Sequence, residues 1–597
     1  PEGSFRYFIA VDDFNQIVTR EAISLEMERC RMTFLNDEAR EHTLGEIWKS
    51  APKLFAILVC LKKGKLIADF LDEAVDDTDL PFVRLDNTAK SGHFKLCSRK
   101  TPDQPIKCMM MWDQARVNDF GRDQWCFLAP IFEYHDDINH YELNDNCVLP
   151  WVEDEERSDR AIEGGFGSVW KIAIHPAHQR IHSTVGPKVQ LLNPKGGLGC
   201  TNGPQRLYQF VALKRLHLKD KQSFESEVEM LKLLGRREHN HLVSLLATFR
   251  LKGRYYLLFP YANCNLREYW KRTPLPEFSK ATVSWALSQC KAMASALHNV
   301  HEHKPTHTSF NALPPSDSSS SNAYSSSSED EERRYGRHGD IKAENILWFL
   351  EDALDERGHL VIADFGLTAF HKKATRSEVN AGHITGTPSY EAPELPLHSK
   401  ISRAFDIWSL GCLYLEFVTW LVGGWEHLKR FPDAREKHCE PEMTDDTFFT
   451  IIGGEHRAEV RQSVKDWIND LHEMPRCSNF VHDFLNLISE RLLVADPQAR
   501  IRTAHLNAEL NRMIQKGGKC TYYLTAPRPT PPRLQSEAHP SSLAAVVRNG
   551  LAHAPKPSEG VPLPKRSGTA SSTEASYPLS QTSIGISAPS SSSRPEN

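Results

Sequence analysis

The ten residues HGDIKAENIL, starting at His338, place a carboxylate, an ammonium and a carboxamide within six positions, as Asp340, Lys342 and Asn345. A further acid, Asp364 in IADFGLTAF, lies 24 residues beyond Asp340, far enough for a hairpin to return it beside Asn345. Phosphoryl transfer calls for this set. It needs a base to take a hydroxyl proton, hard oxygen ligands for Mg²⁺ and a cation against developing phosphate charge. The plain alternative is a turn-rich hairpin with solvated charges, and the order of the set argues against it.

Two upstream stretches fit the same chemistry. The run IEGGFGSV comprises Ile162, Glu163, Gly164, Gly165, Phe166, Gly167, Ser168 and Val169 and has strand-like residues on both sides. It predicts a β-loop-β hairpin whose glycines let backbone amides approach phosphate oxygens, with Val169 as an apolar roof for a base. A dinucleotide-binding reading would need a helix directly after the loop. A glycine hairpin with no ligand is the bland alternative. Further on, FVALKRL sets Lys214 among apolar neighbours, and FESEVEMLKLL spaces Phe224, Val228 and Leu231 as a helical stripe beside Glu227. A carboxylate turned inward is costly unless a cation meets it, and Lys214 is the candidate. Taken alone, the pair also reads as a solvated glutamate and an unrelated lysine.

The elements that must position these residues divide the chain by texture. Residues 1–150 mix acidic turns with apolar clusters and read as an accessory region of unknown function. There Leu54–Leu61 reads as a core strand or helix turn. Residues 151–516 are strand-like first and helix-like from about Ala281, which predicts a sheet-rich lobe followed by a helical lobe. Surface insertions are expected near 175–207 and 304–336, the second carrying an acidic serine run. Residues 517–597, rich in Ser and Pro, read as a disordered tail. The segment Leu410–Trp425 is apolar but contains Glu416, so it reads as a buried helix of a large domain and not as a membrane span.

The ordered series EGGFGSV, VALK, Glu227, HGDIKAEN, DFG at Asp364–Gly366 and YEAPE at Tyr390–Glu394 resembles the eukaryotic protein kinases. DIWSLG from Asp406 looks like that family's buried central helix, and Arg500 matches the arginine that pairs with Glu394. The resemblance covers about 355 of the 597 residues. Within the family, the long preamble and the glycine in HGD look similar to filamentous-fungal kinases. The resemblance implies a two-lobed α+β fold and a serine/threonine kinase using ATP and Mg²⁺. Lys214 would hold the α- and β-phosphates with Glu227 orienting it, and Asn345 and Asp364 would bind Mg²⁺. Asp340 would accept the hydroxyl proton and Lys342 would meet the γ-phosphate. Lys342 and Thr387 resemble the serine/threonine branch, and Phe259 falls at the gatekeeper position, implying a small back pocket. Ile162 replaces the first glycine of the phosphate loop, which implies weaker or slower nucleotide exchange. Gly339 replaces the arginine that usually precedes the base, which implies activity without strict dependence on a phosphate between Asp364 and Glu394. The rival from another class is a pseudokinase scaffold that binds nucleotide and partners without turnover.

Composition narrows the partners. A net charge of −5 supplies no electrostatic footprint for nucleic acid. Thirteen scattered cysteines fit reduced thiols in an intracellular compartment, cytoplasm or nucleus. A protein substrate with a Ser or Thr hydroxyl is expected, with no membrane partner. PRPTPPR at Pro527–Arg533 is a weaker candidate for an SH3-type groove. Ser325–Ser328, ahead of EDEE, form a candidate site for an acid-directed kinase. The series His175, His178, His182 has zinc-like spacing, but a solvated loop is the preferred reading. Because the chain starts at Pro1, an N-terminal signal ahead of it stays an open expectation.

Overall fold

The computed structural model describes residues 7–86, 93–133, 138–152, 162–164, 167–180, 191–192, 208–216, 224–225, 228, 231, 239–302, 337–350, 357–364, 389–397, 399, 401–440, 443–453 and 457–527. Gly165, Phe166, His182, Glu227, Ser325–Ser328, Gly366, Thr387 and residues 528–533 lie outside the described residues, and so do the calls made on them.

The N-terminal region is mainly helical. Helices α1 (Val11–Ile17), α2 (Arg20–Arg29), α3 (Asp37–Ser50), α4 (Pro52–Cys60) and α5 (Ile67–Asp72) precede hairpin β1 (Val83–Asp86) and β2 (Phe94–Cys97) and helix α6 (Gln114–Asp123). The apolar run at Leu54 is helix α4, and Leu54, Phe55, Ile57 and Leu58 all enter the core. Pro52 at its first turn favours that helical start, and Asp77 accepts the otherwise orphaned amides of Lys53 and Leu54. This region has its own core, built around Ile23, Met27, Leu44, Phe70, Phe82 and Phe120.

A sheet follows. The strands of this region are β3 (Phe132–Glu133), β4 (His140–Glu142), β5 (Trp151–Val152), β6 (Ile162–Gly164), β7 (Gly167–Ile174), β8 (Gln179–Arg180), β9 (Leu191–Leu192), β10 (Tyr208–Leu216), β11 (Ala247–Leu251) and β12 (Arg254–Pro260). The main order is β4-β11-β12-β10-β7-β5, with β6 on β7 and β9 on β10, while β3 pairs with β8 separately. Strand β4 pairs parallel with β11, so residues on both sides of position 150 belong to one sheet. Side chains alternate between the faces as a pleated strand requires. Val211 and Leu213 join one apolar cluster with Phe132, Phe249 and Leu258, whereas Leu216 and Leu257 join the larger core on the other face. Lys214 pairs with Leu257, which puts it on that second face.

His175 and His178 are not in a solvated loop. They are 6% and 1% exposed, because His178 accepts a hydrogen bond from Val11 N at 3.1 Å and donates from Nδ1 to Pro130 O at 3.0 Å. Burial lowers the His178 pKa, so the neutral ring pins the N-terminal region to the sheet lobe.

The helical lobe begins at β13 (Cys264–Asn265) and α7 (Leu266–Arg272), where Asn265 caps the helix by accepting from Glu268 N at 2.9 Å. Helix α8 (Lys280–His301), hairpin β14 (Ile346–Phe349) and β15 (His359–Ile362), and helix α9 (Ala404–Leu428) follow. Then come α10 (Phe431–Arg435), α11 (Gln462–Glu473), α12 (Asn479–Leu487), α13 (Thr503–Lys519) and α14 (Thr521–Thr525). Helix α9 is long and apolar enough to cross a membrane, yet its apolar window is wholly buried inside this lobe. Tyr523 and Leu524 are also buried, so the folded part runs past position 517. The fold is α+β with two lobes, as the motif order implied.

Candidate active site

The loop carrying Asp340 is hung from one buried carboxylate. Asp406, at the start of α9, accepts from His338 N at 2.9 Å, Gly339 N at 2.7 Å and His301 Nε2 at 2.8 Å. Gly339 has φ +80°, a conformation that costs a side-chain-bearing residue roughly 1–2 kcal/mol. His338 is fully buried; its Nδ1 accepts from Asp340 N at 3.2 Å, which assigns the proton to Nε2, and Nε2 donates to Ala363 O at 3.0 Å. The loop is thereby tied both to α9 and to the end of β15.

Burial presses the Asp406 carboxyl upward, but the hydrogen bond from His301, the favourable electrostatics of the His301 and His338 rings and the Gly339 amide outweigh it, leaving its pKa below the usual range. A carboxyl depressed on folding contributes stability that is present above its unfolded pKa and lost as pH falls through its folded value. We expect Asp406→Asn to be less stable than wild type at neutral pH. The gap should narrow as pH falls below the ordinary aspartate value of about 3.9. Urea melts of both proteins over a pH series measure it, and a gap that stays constant with pH would rule this linkage out.

Asp340 itself is gripped by its neighbours. Lys342 Nζ donates to its Oδ2 at 2.8 Å, and Asn345 Nδ2 donates to the same oxygen at 2.9 Å and to Asp340 O at 2.8 Å. This double tether orients the Asn345 amide so that Oδ1, a hard oxygen, is its donor atom for a cation. The expected return of Asp364 occurs: β14 and β15 pair Ile346 with Ile362, and Ala363 N donates to Asn345 O at 2.9 Å. Asp364 follows with φ +67°, a left-handed conformation that turns the chain as it leaves the strand.

Lys214 reaches across from the sheet lobe, with Nζ 2.5 Å from Asp364 Oδ1. Burial raises the Asp364 carboxyl and the Lys214 charge more than offsets it, so its pKa lies below normal and it is anionic at neutral pH. The structure therefore brings Lys214, Asp340, Lys342, Asn345 and Asp364 to one locus between the lobes.

The glycine hairpin forms as the sequence required. Strands β6 and β7 pair antiparallel, with Ile162 opposite Val169, Glu163 opposite Ser168 and Gly164 opposite Gly167. Glu227 lies outside the described residues, but Phe224, Val228 and Leu231 are each under 8% exposed, in agreement with the predicted stripe. Phe259 is half-buried against the main core and pairs with Ala212.

Beneath the site, Glu394 and Arg500 form a buried two-pronged ion pair, Oε1 to Nη1 and Oε2 to Nη2, both 2.8 Å. Arg500 also donates to Val494 O, Ala495 O and Ala404 O, and its guanidinium lies 5.1 Å from the Trp408 ring centre. Sequence reasoning missed a second cluster. Arg267 on α7 contacts Glu344 Oε1 at 3.0 Å, Tyr390 OH at 3.0 Å and Glu416 Oε2 at 2.8 Å, and Tyr390 OH donates to Glu416. It locks the Asn345 loop, the Tyr390 segment and α9 together. The one available signal was Glu416, an acid inside an otherwise apolar helix.

Comparison with known proteins agrees with this geometry. Residues 336–509 match the model of the protein kinase domain, a span that holds Asp340, Asn345, Asp364, Glu394, Asp406 and Arg500. The MAP kinase kinase kinase wis4 of Schizosaccharomyces pombe is 42% identical over 91 residues, 14% of this chain and 6% of that protein. MAP3K epsilon protein kinase 1 of Brassica napus is 25% identical over 224 residues, 37% of this chain and 14% of that one. The L-type lectin-domain containing receptor kinase IV.2 of Arabidopsis thaliana is 28% identical over 252 residues, 40% and 30% of the two chains. The chain thus spans less than a third of the length of each of these relatives. The matched span is a protein kinase domain that contains Asp340, Lys342, Asn345 and Asp364 of the site, while Lys214 lies ahead of it.

Proposed function

We propose that this chain transfers the γ-phosphoryl group of Mg-ATP to serine or threonine hydroxyls of protein substrates. The observation that carries the reading is the convergence of Asp340, Lys342, Asn345 and Asp364 in the helical lobe with Lys214 from the sheet lobe. The Asn345 amide oxygen and the anionic Asp364 carboxylate suit Mg²⁺, and Lys214 suits the α- and β-phosphates. Bound Mg-ATP supplies the electrophilic phosphorus and the leaving group. Asp340 holds its carboxylate in place through Lys342 and Asn345 and takes the hydroxyl proton of the substrate on that carboxylate. Lys342, beside the base, offsets negative charge as it builds on the transferred group. Lys342 also supports serine or threonine over tyrosine, by resemblance. The cysteines of the described residues are free thiols, in keeping with a reducing intracellular setting.

The test is incubation of the purified full chain with Mg-ATP and a mixed Ser, Thr and Tyr peptide library, followed by phosphoamino-acid analysis. Phosphoserine and phosphothreonine are expected. Labelled tyrosine alone, or no label, overturns the proposal. Gly339 offers no cation to an activation-segment phosphate, so phosphatase pre-treatment should leave most of the turnover, within about twofold of the untreated chain. Complete loss would show that another group fills that role.

A further inference from the structure

We propose that His472, Cys477 and His482 form a zinc-binding site at the corner between α11 and α12, away from the catalytic residues. His472 lies in the last turn of α11, Cys477 in the connection and His482 near the start of α12, so one short turn delivers all three side chains. His472 Nδ1 lies 2.7 Å from His482 Nδ1, and Cys477 Sγ lies 3.6 Å from that same His482 nitrogen. The three donor atoms lie within 4.8 Å of one another. The side chains are 8%, 1% and 4% exposed, respectively.

Hydrogen bonding alone serves this triad poorly. An imidazole Nδ1 offers either one lone pair or one proton, yet two neighbours converge on His482 Nδ1. A divalent cation at their centre would satisfy all three donors at once. Tetrahedral zinc, with Zn–N of about 2.05 Å and Zn–S of about 2.3 Å, sets N···S at about 3.6 Å and N···N at about 3.3 Å. The sulfur is already at the right separation, and the two nitrogens need to part by roughly 0.6 Å.

The donor types select the metal. Two neutral imidazoles with one thiolate suit Zn²⁺, whereas a hard cation such as Mg²⁺ prefers oxygen. Binding releases the Cys477 thiol proton to solvent, and the imidazole that carries its proton on Nδ1 moves it to Nε2. Three protein ligands leave the fourth position for water.

The test uses the full chain without a polyhistidine tag. After desalting, elemental analysis should find about one zinc per wild-type chain, and cobalt exchange should give a thiolate-to-cobalt charge-transfer band in the near ultraviolet. Cys477→Ala should lose both. Chelation should lower the melting temperature of wild type and leave that of Cys477→Ala unmoved. Wild type without retained metal or the cobalt band, or Cys477→Ala with an unchanged metal content and band, overturns the proposal. If Cys477→Ala fails to fold, His472→Gln takes its place with the same two readouts. None of these measurements depends on kinase activity.

Discussion

Asp340→Ala should lower phosphoryl transfer by about 10²- to 10⁴-fold, the range over which a positioned general base contributes. The loss should appear in kcat, because Lys214, Asn345 and Asp364 remain to hold the nucleotide. ATP affinity, measured by calorimetry in the presence of Mg²⁺, should stay within a few-fold of wild type. Asp340→Asn keeps the volume and one acceptor oxygen for Lys342 and Asn345, so its melting temperature should match wild type even more closely while turnover stays low. Equal turnover in wild type and both variants would identify a contaminating enzyme or remove Asp340 from the chemistry. Loss of ATP binding together with turnover would instead point to a structural role.

The second large effect belongs to Arg500. Arg500→Met should destabilise the chain by about 3–5 kcal/mol, since it strands Glu394 as an uncompensated buried charge. Three main-chain carbonyls, Val494 O, Ala495 O and Ala404 O, lose their donor as well. Glu394→Gln in the same chain should recover a part of this, because the penalty comes from the orphaned carboxylate more than from the missing attraction. Denaturant melts of wild type, both single variants and the pair give the coupling. Strict additivity would mean that the two side chains act independently, contrary to their 2.8 Å contacts.

The site was legible where its residues lie close in sequence or carry patterned surroundings. Asp340, Lys342 and Asn345 share one loop, and Asp364 follows after a single hairpin whose register is local. Lys214 was legible from its apolar neighbours in FVALKRL, and the structure puts it on the face opposite Val211 and Leu213. Arg500 and Glu394 were found through the resemblance and not through any local pattern. Arg267 gave no signal: a lone arginine on a short helix looks like surface charge until α9 brings Glu416 beneath it. His175 and His178 misled for a related reason. A Pro- and His-containing stretch reads as a loop, and its burial depends on Val11 and Pro130, partners 167 and 48 residues distant from His178. The same holds for β4, whose parallel pairing with β11 joins residues 108 positions apart. Hydrophobic periodicity reports which face of an element is inward, and it is silent on which distant element covers that face.

That β4–β11 pairing bears on how the catalytic part could be cut out. A fragment starting at position 151 would discard β4 and leave the outer rim of the sheet at Thr248–Arg250 with open amides and carbonyls. Phe132, which stacks on Trp151 and touches Phe249, would go too, leaving two aromatic rings facing water. Bare rims of this kind recruit other chains and drive clumping. A well-behaved excised enzyme would therefore need to begin before Phe132.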